Sequence, residues 1–188
     1  MNKIELIKDD FIEVGGTKLH RIKAIADINS DIKAGTIGGY IEKLDNIKDN
    51  AWVCGNARVY GNARVYDDAR VFGDARVFGD AQVFGDAQVF GDAEVYGNAL
   101  VYGNAQVCGN AQVCGNAQVC GVADYLVFKN NWSSGRYFTW TKSNNMWLVG
   151  CFYGTSKELI AAEAKRGGPQ KYKYFVELVD KLNNNKDV

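Results

Sequence analysis

The chain lacks a surplus of charge of either sign: 22 Lys and Arg stand against 22 Asp and Glu. Whole-molecule electrostatic attraction to nucleic acid or to an anionic membrane is therefore not expected. No run approaches the roughly 18 apolar residues of a membrane span, and the start, MNKIELIKDDF, has no apolar stretch of the secretory kind. Histidine is almost absent: one occurs, His20, so a three-histidine metal centre is excluded by count. Five cysteines are present, none in a CxxC motif, which removes the usual zinc-ribbon and dithiol redox signatures. GxSxG, HExxH and P-loop patterns are missing too. These features point to a reducing, cytoplasmic setting.

What is present is a repeat. Ala stands at every sixth position from Ala51 to Ala117, and Val follows two residues later from Val53 to Val119. The twelve units read A-x-V-x-G-N/D, with Asp67 in place of Gly in the third and Val122 ending the last. Ala and Val two apart point to the same side of an extended strand. The Gly-Asn/Asp pair that follows is turn chemistry, since both residue types tolerate positive φ. A strand of four and a corner of two make one side of a triangle. Three sides make an 18-residue coil, so the twelve units make four coils whose parallel strands stack about 4.8 Å apart. The register runs back through Ile47 and Ile41, with Asp45 and Gly39 in the Ala slot, so a degenerate coil is expected to begin near residue 39.

Residues 18 apart fall in one column, which allows the outer faces to be read. The position after Val gives Cys54, Phe72, Phe90, Cys108 on a first face. On a second it gives Tyr60, Phe78, Tyr96, Cys114, and on a third Tyr66, Phe84, Tyr102, Cys120. The position after Ala gives Trp52, Arg70, Gln88, Gln106, then Arg58, Arg76, Glu94, Gln112, and last Arg64, Gln82, Leu100, Gln118. Each face thus carries an aromatic ladder. Such ladders partly satisfy themselves by cross-strand contact, but aromatics beside Arg are also the composition of protein-binding hot spots. The candidate partner-binding set is Tyr60, Phe72, Phe78, Phe84, Phe90, Tyr96 and Tyr102 with Arg58, Arg70 and Arg76. Cys108, Cys114 and Cys120 lie on three different faces, and Cys54 lies three coils from Cys108, beyond disulfide reach. Free thiols are expected, and no metal site. Asp68, Asp74, Asp80, Asp86 and Asp92 read as turn formers, not as a calcium site.

The flanks read as caps over the strand edges that a solenoid exposes. Residues 1–38 contain FIEV and LHRIKAI around Gly15-Gly16, an N-terminal β-hairpin cap. The coils occupy 39–123. Residues 124–188 form a C-terminal domain of three strands (YLVFK, RYFTWT, MWLVGCFY) followed by two helices. Ser134-Gly135 and Ser143-Asn144-Asn145 supply the turns. Thr155 and Glu158 make a capping box for a helix over roughly 156–166, which Gly167-Gly168-Pro169 ends. Phe175, Leu178, Val179 and Leu182 give the second helix an apolar face. Trp132, Trp140 and Trp147 read as the core of this domain.

The A-x-V-x-G-N/D unit resembles the hexapeptide repeat of left-handed parallel β-helix proteins. It departs from that pattern after the aliphatic residue, where Tyr, Phe or Cys replaces a small residue. The head LHRIKAIADI, the GNARVYGNA array and the tail FTWTKSNNMWLVGCFYGTSKELIAA are together similar to hexapeptide-repeat proteins encoded by phages and prophages. The resemblance implies a mainly β fold, a left-handed β-helix of about four to five coils between the two caps. Its acyltransferases use a histidine base and its γ-class carbonic anhydrases three histidines; the coils here have none. The expectation is a non-catalytic, cofactor-free protein-interaction module, with a host protein or a sister subunit (dimer or trimer) as partner. By analogy with phage relatives, its task would be to bind and inhibit a host defence factor in the manner of an anti-CRISPR. The alternatives are an acyltransferase-like enzyme using His20 and a nucleic-acid binder using Arg58, Arg64, Arg70 and Arg76. The dispersal of those arginines over three faces argues against the latter.

Overall fold

The computed structural model describes residues 3–131, 135–168 and 170–184. Trp132, Ser134 and Pro169, named above for the domain core and the turns, lie outside the described residues.

The repeat folds as a parallel β-solenoid. Each unit contributes one short strand made of the residue after Ala and the Val itself, from Trp52–Val53 to Gln118–Val119. Strands 18 residues apart pair in register, Arg58 with Arg76 and Arg76 with Glu94 on one face, Trp52 with Arg70 on the next, Arg64 with Gln82 on the third. All twelve Ala and all twelve Val are buried, nearly all at 0–1 % exposure. The alternation of a small and a β-branched residue fills the triangular core without a void that a larger side chain would need. From Gly55 to Gly115 the corner Gly adopts positive φ, as at Gly73 (73°) and Gly91 (71°), and consecutive glycines stack. A Cβ on Gly73 would stand 3.0 Å from the Gly91 nitrogen. Asp67, which replaces Gly in the third unit, takes the same left-handed conformation (φ 58°), and its carboxylate accepts from Gly85 N at 3.1 Å. The corner Asn and Asp also tie coils together, with Asn50, Asn56 and Asn62 donating to Asp68, Asp74 and Asp80 at 3.1–3.2 Å.

Every coil donates its N–H groups to the following coil: Trp52 N to Ala69 O, Cys54 N to Val71 O, Asn56 N to Gly73 O, at 2.9–3.0 Å. The first and last coils therefore face opposite problems. The first coil must supply donors to the second. Gly39 sits in the Ala slot as expected, and Tyr40 and Glu42 donate regularly to Ala57 and Val59. Asp45 does not occupy that slot. A 3₁₀ turn over Leu44–Asn46 exposes it and turns the fully buried Asn46 inward. The Asn46 Nδ2 donates to Ala63 O at 2.8 Å and to Gly61 O at 3.2 Å, serving the carbonyls that backbone N–H groups serve in a regular coil.

The last coil has N–H groups and no coil to receive them. The C-terminal segment provides acceptors from side chains. Tyr125 Oη accepts from Cys108 N (3.2 Å), Thr139 Oγ1 from Gln112 N (3.0 Å), Ser143 Oγ from Gln118 N (2.7 Å) and Asp124 Oδ2 from Cys120 N (2.9 Å). The Cys residues that end each aromatic column leave room for this cap: a Cβ on Gly115, beside Cys114, would meet the Tyr153 hydroxyl.

The N-terminal hairpin is longer than FIEV and LHRIKAI suggest. Strands β1 (Ile4–Val14) and β2 (Thr17–Ala24) flank Gly15-Gly16, and β2 pairs antiparallel with β3 (Ile37–Ile41). Because β3 runs parallel to Arg58–Val59, the hairpin extends the sheet of the second face to seven strands.

At the other end MWLVGCFY is not one strand. Gly150 at φ 59° turns the chain, giving Met146–Val149 and Phe152–Gly154 as an antiparallel pair and four strands in the C-terminal sheet. Helices α1 (Ser156–Lys165) and α2 (Tyr172–Asn184) follow. Thr155 and Glu158 form the capping box, Glu158 Oε2 accepting from Thr155 N at 2.8 Å. Trp140, Trp147, Phe138, Leu159, Val176 and Val179 make the second core. Glu163, buried on α1, accepts from Lys171 N and Tyr172 N at 2.9 Å and so caps the start of α2. The apolar face of α2 differs from the expected one: Phe175, Val176 and Val179 face the core, while Leu178 and Leu182 are 43 % and 57 % exposed.

Candidate interaction face

The three aromatic columns exist as ladders of parallel rings. Tyr60–Phe78 and Phe78–Tyr96 lie at 5.1 and 4.9 Å on the second face, Tyr66–Phe84 and Phe84–Tyr102 at 4.9 and 5.2 Å on the third, and Phe72–Phe90 at 4.9 Å on the first. Interplanar angles are 1–8°. The coil spacing imposes this stack, because side chains in one column are held as far apart as the strands. Each inner ring covers its neighbours' faces, so all eight are half-buried and none of them offers a large open apolar surface. What points outward is ring edge and hydroxyl. Ring edges carry the positive end of the aromatic quadrupole. Burial raises the pKa of Tyr60, and burial with the neighbouring Cys114 raises that of Tyr96, so both hydroxyls are neutral donors.

The faces differ in what surrounds the ladders. On the first, the segment 25–36 lies across the start of the column. Trp52, whose column position points outward, is roofed to 4 % exposure within a cluster that includes Ile28 and Ile32. Arg70 reaches Asp31 at 3.5 Å. On the third, Arg64 is exposed and the Tyr66 hydroxyl donates to Gln82 at 3.2 Å.

The second face brings together five of the ten candidates: Tyr60, Phe78 and Tyr96 beside Arg58 and Arg76. It is one continuous sheet from the hairpin to the last coil. A row of polar side chains runs along it. Arg21 lies 4.3 Å over the Tyr40 ring and pairs with Asp10 at 2.9 Å. Arg58 follows, then Arg76 in an ion pair with Glu94, whose other oxygen accepts from Gln112 Nε2 at 3.2 Å. Arg76 is thus committed within the face, a pairing that opposite charges 18 residues apart already signal. Arg58 has no carboxylate partner among the described residues, and its Nε is buried without a hydrogen bond. At the far end, Arg76, Asp92, Glu94, Gln112 and Tyr137 line a groove of about 460 Å³ against the C-terminal segment. Phe72, Phe84, Phe90, Tyr102 and Arg70 belong to the other two faces.

The remaining chemistry-bearing groups are scattered. All five cysteines are free. Burial raises the thiol pKa of Cys54 and Cys114, and the Asp124 carboxylate raises that of Cys120, the reverse of an activated nucleophile. His20 sits on β2 opposite Ile41, with its ring 5.9 Å from Phe11. No three His, Cys, Asp or Glu converge among the described residues, and none of the described helices is long and apolar enough to cross a membrane.

Coil geometry, repeat register and stacked columns define the array as a hexapeptide-repeat β-solenoid. Four overlapping stretches of it, residues 51–67, 57–71, 63–79 and 69–85, and a separate fifth, 93–109, match the family model of the YdcK beta solenoid repeat. No curated protein matches the chain.

Proposed function

We propose that this protein is a non-catalytic interaction module that binds a protein partner through the second face of the solenoid. The observation that carries this reading is Arg58: a half-buried guanidinium without a carboxylate partner among the described residues, set beside a ladder of stacked aromatic rings on a seven-stranded sheet. An unpaired cation at the margin of an interface gains most from a partner's carboxylate. The positive ring edges favour the same sign, so the partner surface is acidic there. The sheet is rigid because each coil is hydrogen-bonded to the next, which keeps the ordering penalty of association small. The phage-like layout suggests that the partner is a host defence factor.

The test is affinity capture from host lysate followed by titration of the purified partner. Arg58→Glu should weaken binding by on the order of tenfold to a hundredfold, the scale of one lost charge pair. Arg64→Glu, on the third face, should leave it unchanged. Equal losses from both variants, or no specific partner, would overturn the reading.

A further inference from the structure

Helix α2 carries more apolar surface than its own domain covers. Tyr174, Leu178 and Leu182 are 59 %, 43 % and 57 % exposed, and at spacings of four they form one stripe along the helix. The core side is already satisfied by Tyr172, Phe175, Val176 and Val179. Three large apolar side chains exposed on one short helix are not scattered surface residues but a contiguous face.

We infer that this stripe is the contact between two copies of the chain, packed as antiparallel α2 helices about a two-fold axis. The charges beside the stripe select this occupant. Glu177 and Lys181 lie along one flank, both exposed, and neither forms an ion pair among the described residues. A two-fold runs the second helix backwards, so Glu177 of each copy faces Lys181 of the other, giving two reciprocal pairs. A parallel arrangement would instead set this flank of each helix against the opposite flank of the other, so Glu177 and Lys181 would not meet across the contact. The stripe is centred on Leu178 and the charge pair on residue 179, a mismatch of about 1.5 Å of helix rise, well inside the reach of a lysine side chain. With only three large side chains per copy the patch falls in the class of small, weak interfaces. An isologous contact of this kind closes at two copies.

Sedimentation equilibrium of the full chain from about 1 µM to about 1 mM, the span of weak interfaces, tests this. A reversible monomer–dimer equilibrium is expected. Leu178→Asp should raise the dissociation constant at least tenfold. Glu177→Lys and Lys181→Glu should each weaken the dimer, and the double exchange should restore it, an outcome that general damage to the helix cannot produce. A monomer throughout the range, association indifferent to Leu178→Asp, or no restoration by the double exchange would overturn the proposal. These substitutions leave the solenoid faces untouched, so the result is independent of partner binding there.

Discussion

Replacing Asn46 tests how the first coil is closed. The side chain is fully buried. It donates to Ala63 O at 2.8 Å and Gly61 O at 3.2 Å and accepts from Lys43 N at 3.0 Å. Asn46→Ala removes all three bonds and leaves two inward carbonyls without a donor. An unsatisfied buried group costs about 1–3 kcal/mol. With about 1 kcal/mol for each of the three groups, the low end of that range because Lys43 is exposed, the total comes near 3 kcal/mol. For a chain of this size that corresponds to a fall in Tm of roughly 6–12 °C. Asn46→Asp should be worse than Asn46→Ala at neutral pH, since it sets a carboxylate against two carbonyl oxygens. Protonation restores one donor, so the folded state raises the pKa of the new carboxyl. The stabilising contribution of the protonated carboxyl is then fully present below its unfolded pKa of about 4 and is lost as pH rises through the folded value. Thermal and urea unfolding by circular dichroism measure the magnitude, and hydrogen exchange locates it. Exchange should quicken over residues 39–66 and not over 100–119, because solenoid contacts reach only nearest neighbours. A change under about 0.5 kcal/mol for Asn46→Ala, the size of an inert surface substitution, or an Asn46→Asp protein more stable than Asn46→Ala at neutral pH, would refute the role given to this side chain.

Two further outcomes follow from the corners and the cap. Gly73→Ala combines the left-handed φ penalty of about 1–2 kcal/mol with a Cβ placed 3.0 Å from the Gly91 nitrogen, whereas Gly109→Ala, at φ 64° with nothing within 4 Å, carries the φ penalty alone; chemical denaturation should rank Gly73→Ala as the less stable of the pair. Glu158 has its pKa lowered by the hydrogen bonds from Thr155 backbone and side chain, so its contribution to α1 is present above its unfolded value and fades as pH falls through the folded one. An acid titration followed by the fluorescence of the buried Trp147 should show wild type and Glu158→Gln converging at low pH; a gap that widens there would count against the capping role.

Strict periodicity explains why the coils were legible and the closures were not. An 18-residue register assigns every array residue to a column, so the ladders, the dispersal of Cys108, Cys114 and Cys120 and the division of the arginines follow by counting. The Thr155–Glu158 box was legible because it is a local bond. Asn46 was missed because Asp45 occupies the Ala slot by count, and only a 3₁₀ turn with two carbonyls in need of donors turns the next residue inward. The cap by Tyr125, Thr139, Ser143 and Asp124 has no period to reveal it; its signal is the small Cys that ends each aromatic column.

By itself, then, the sequence determined what repeats: the side facing inward, the corner conformation, and which residues stack. Alternation along a strand and the φ tolerance of Gly and Asn are local properties, and repetition makes them add. The tertiary structure alone decided how the two ends close and which part of the surface remains open. It roofs Trp52, leaves Arg58 without a carboxylate partner among the described residues, and turns Leu178 and Leu182 of α2 outward. These outcomes depend on segments distant in sequence competing for the same edge or face, and no single stretch of chain contains that competition.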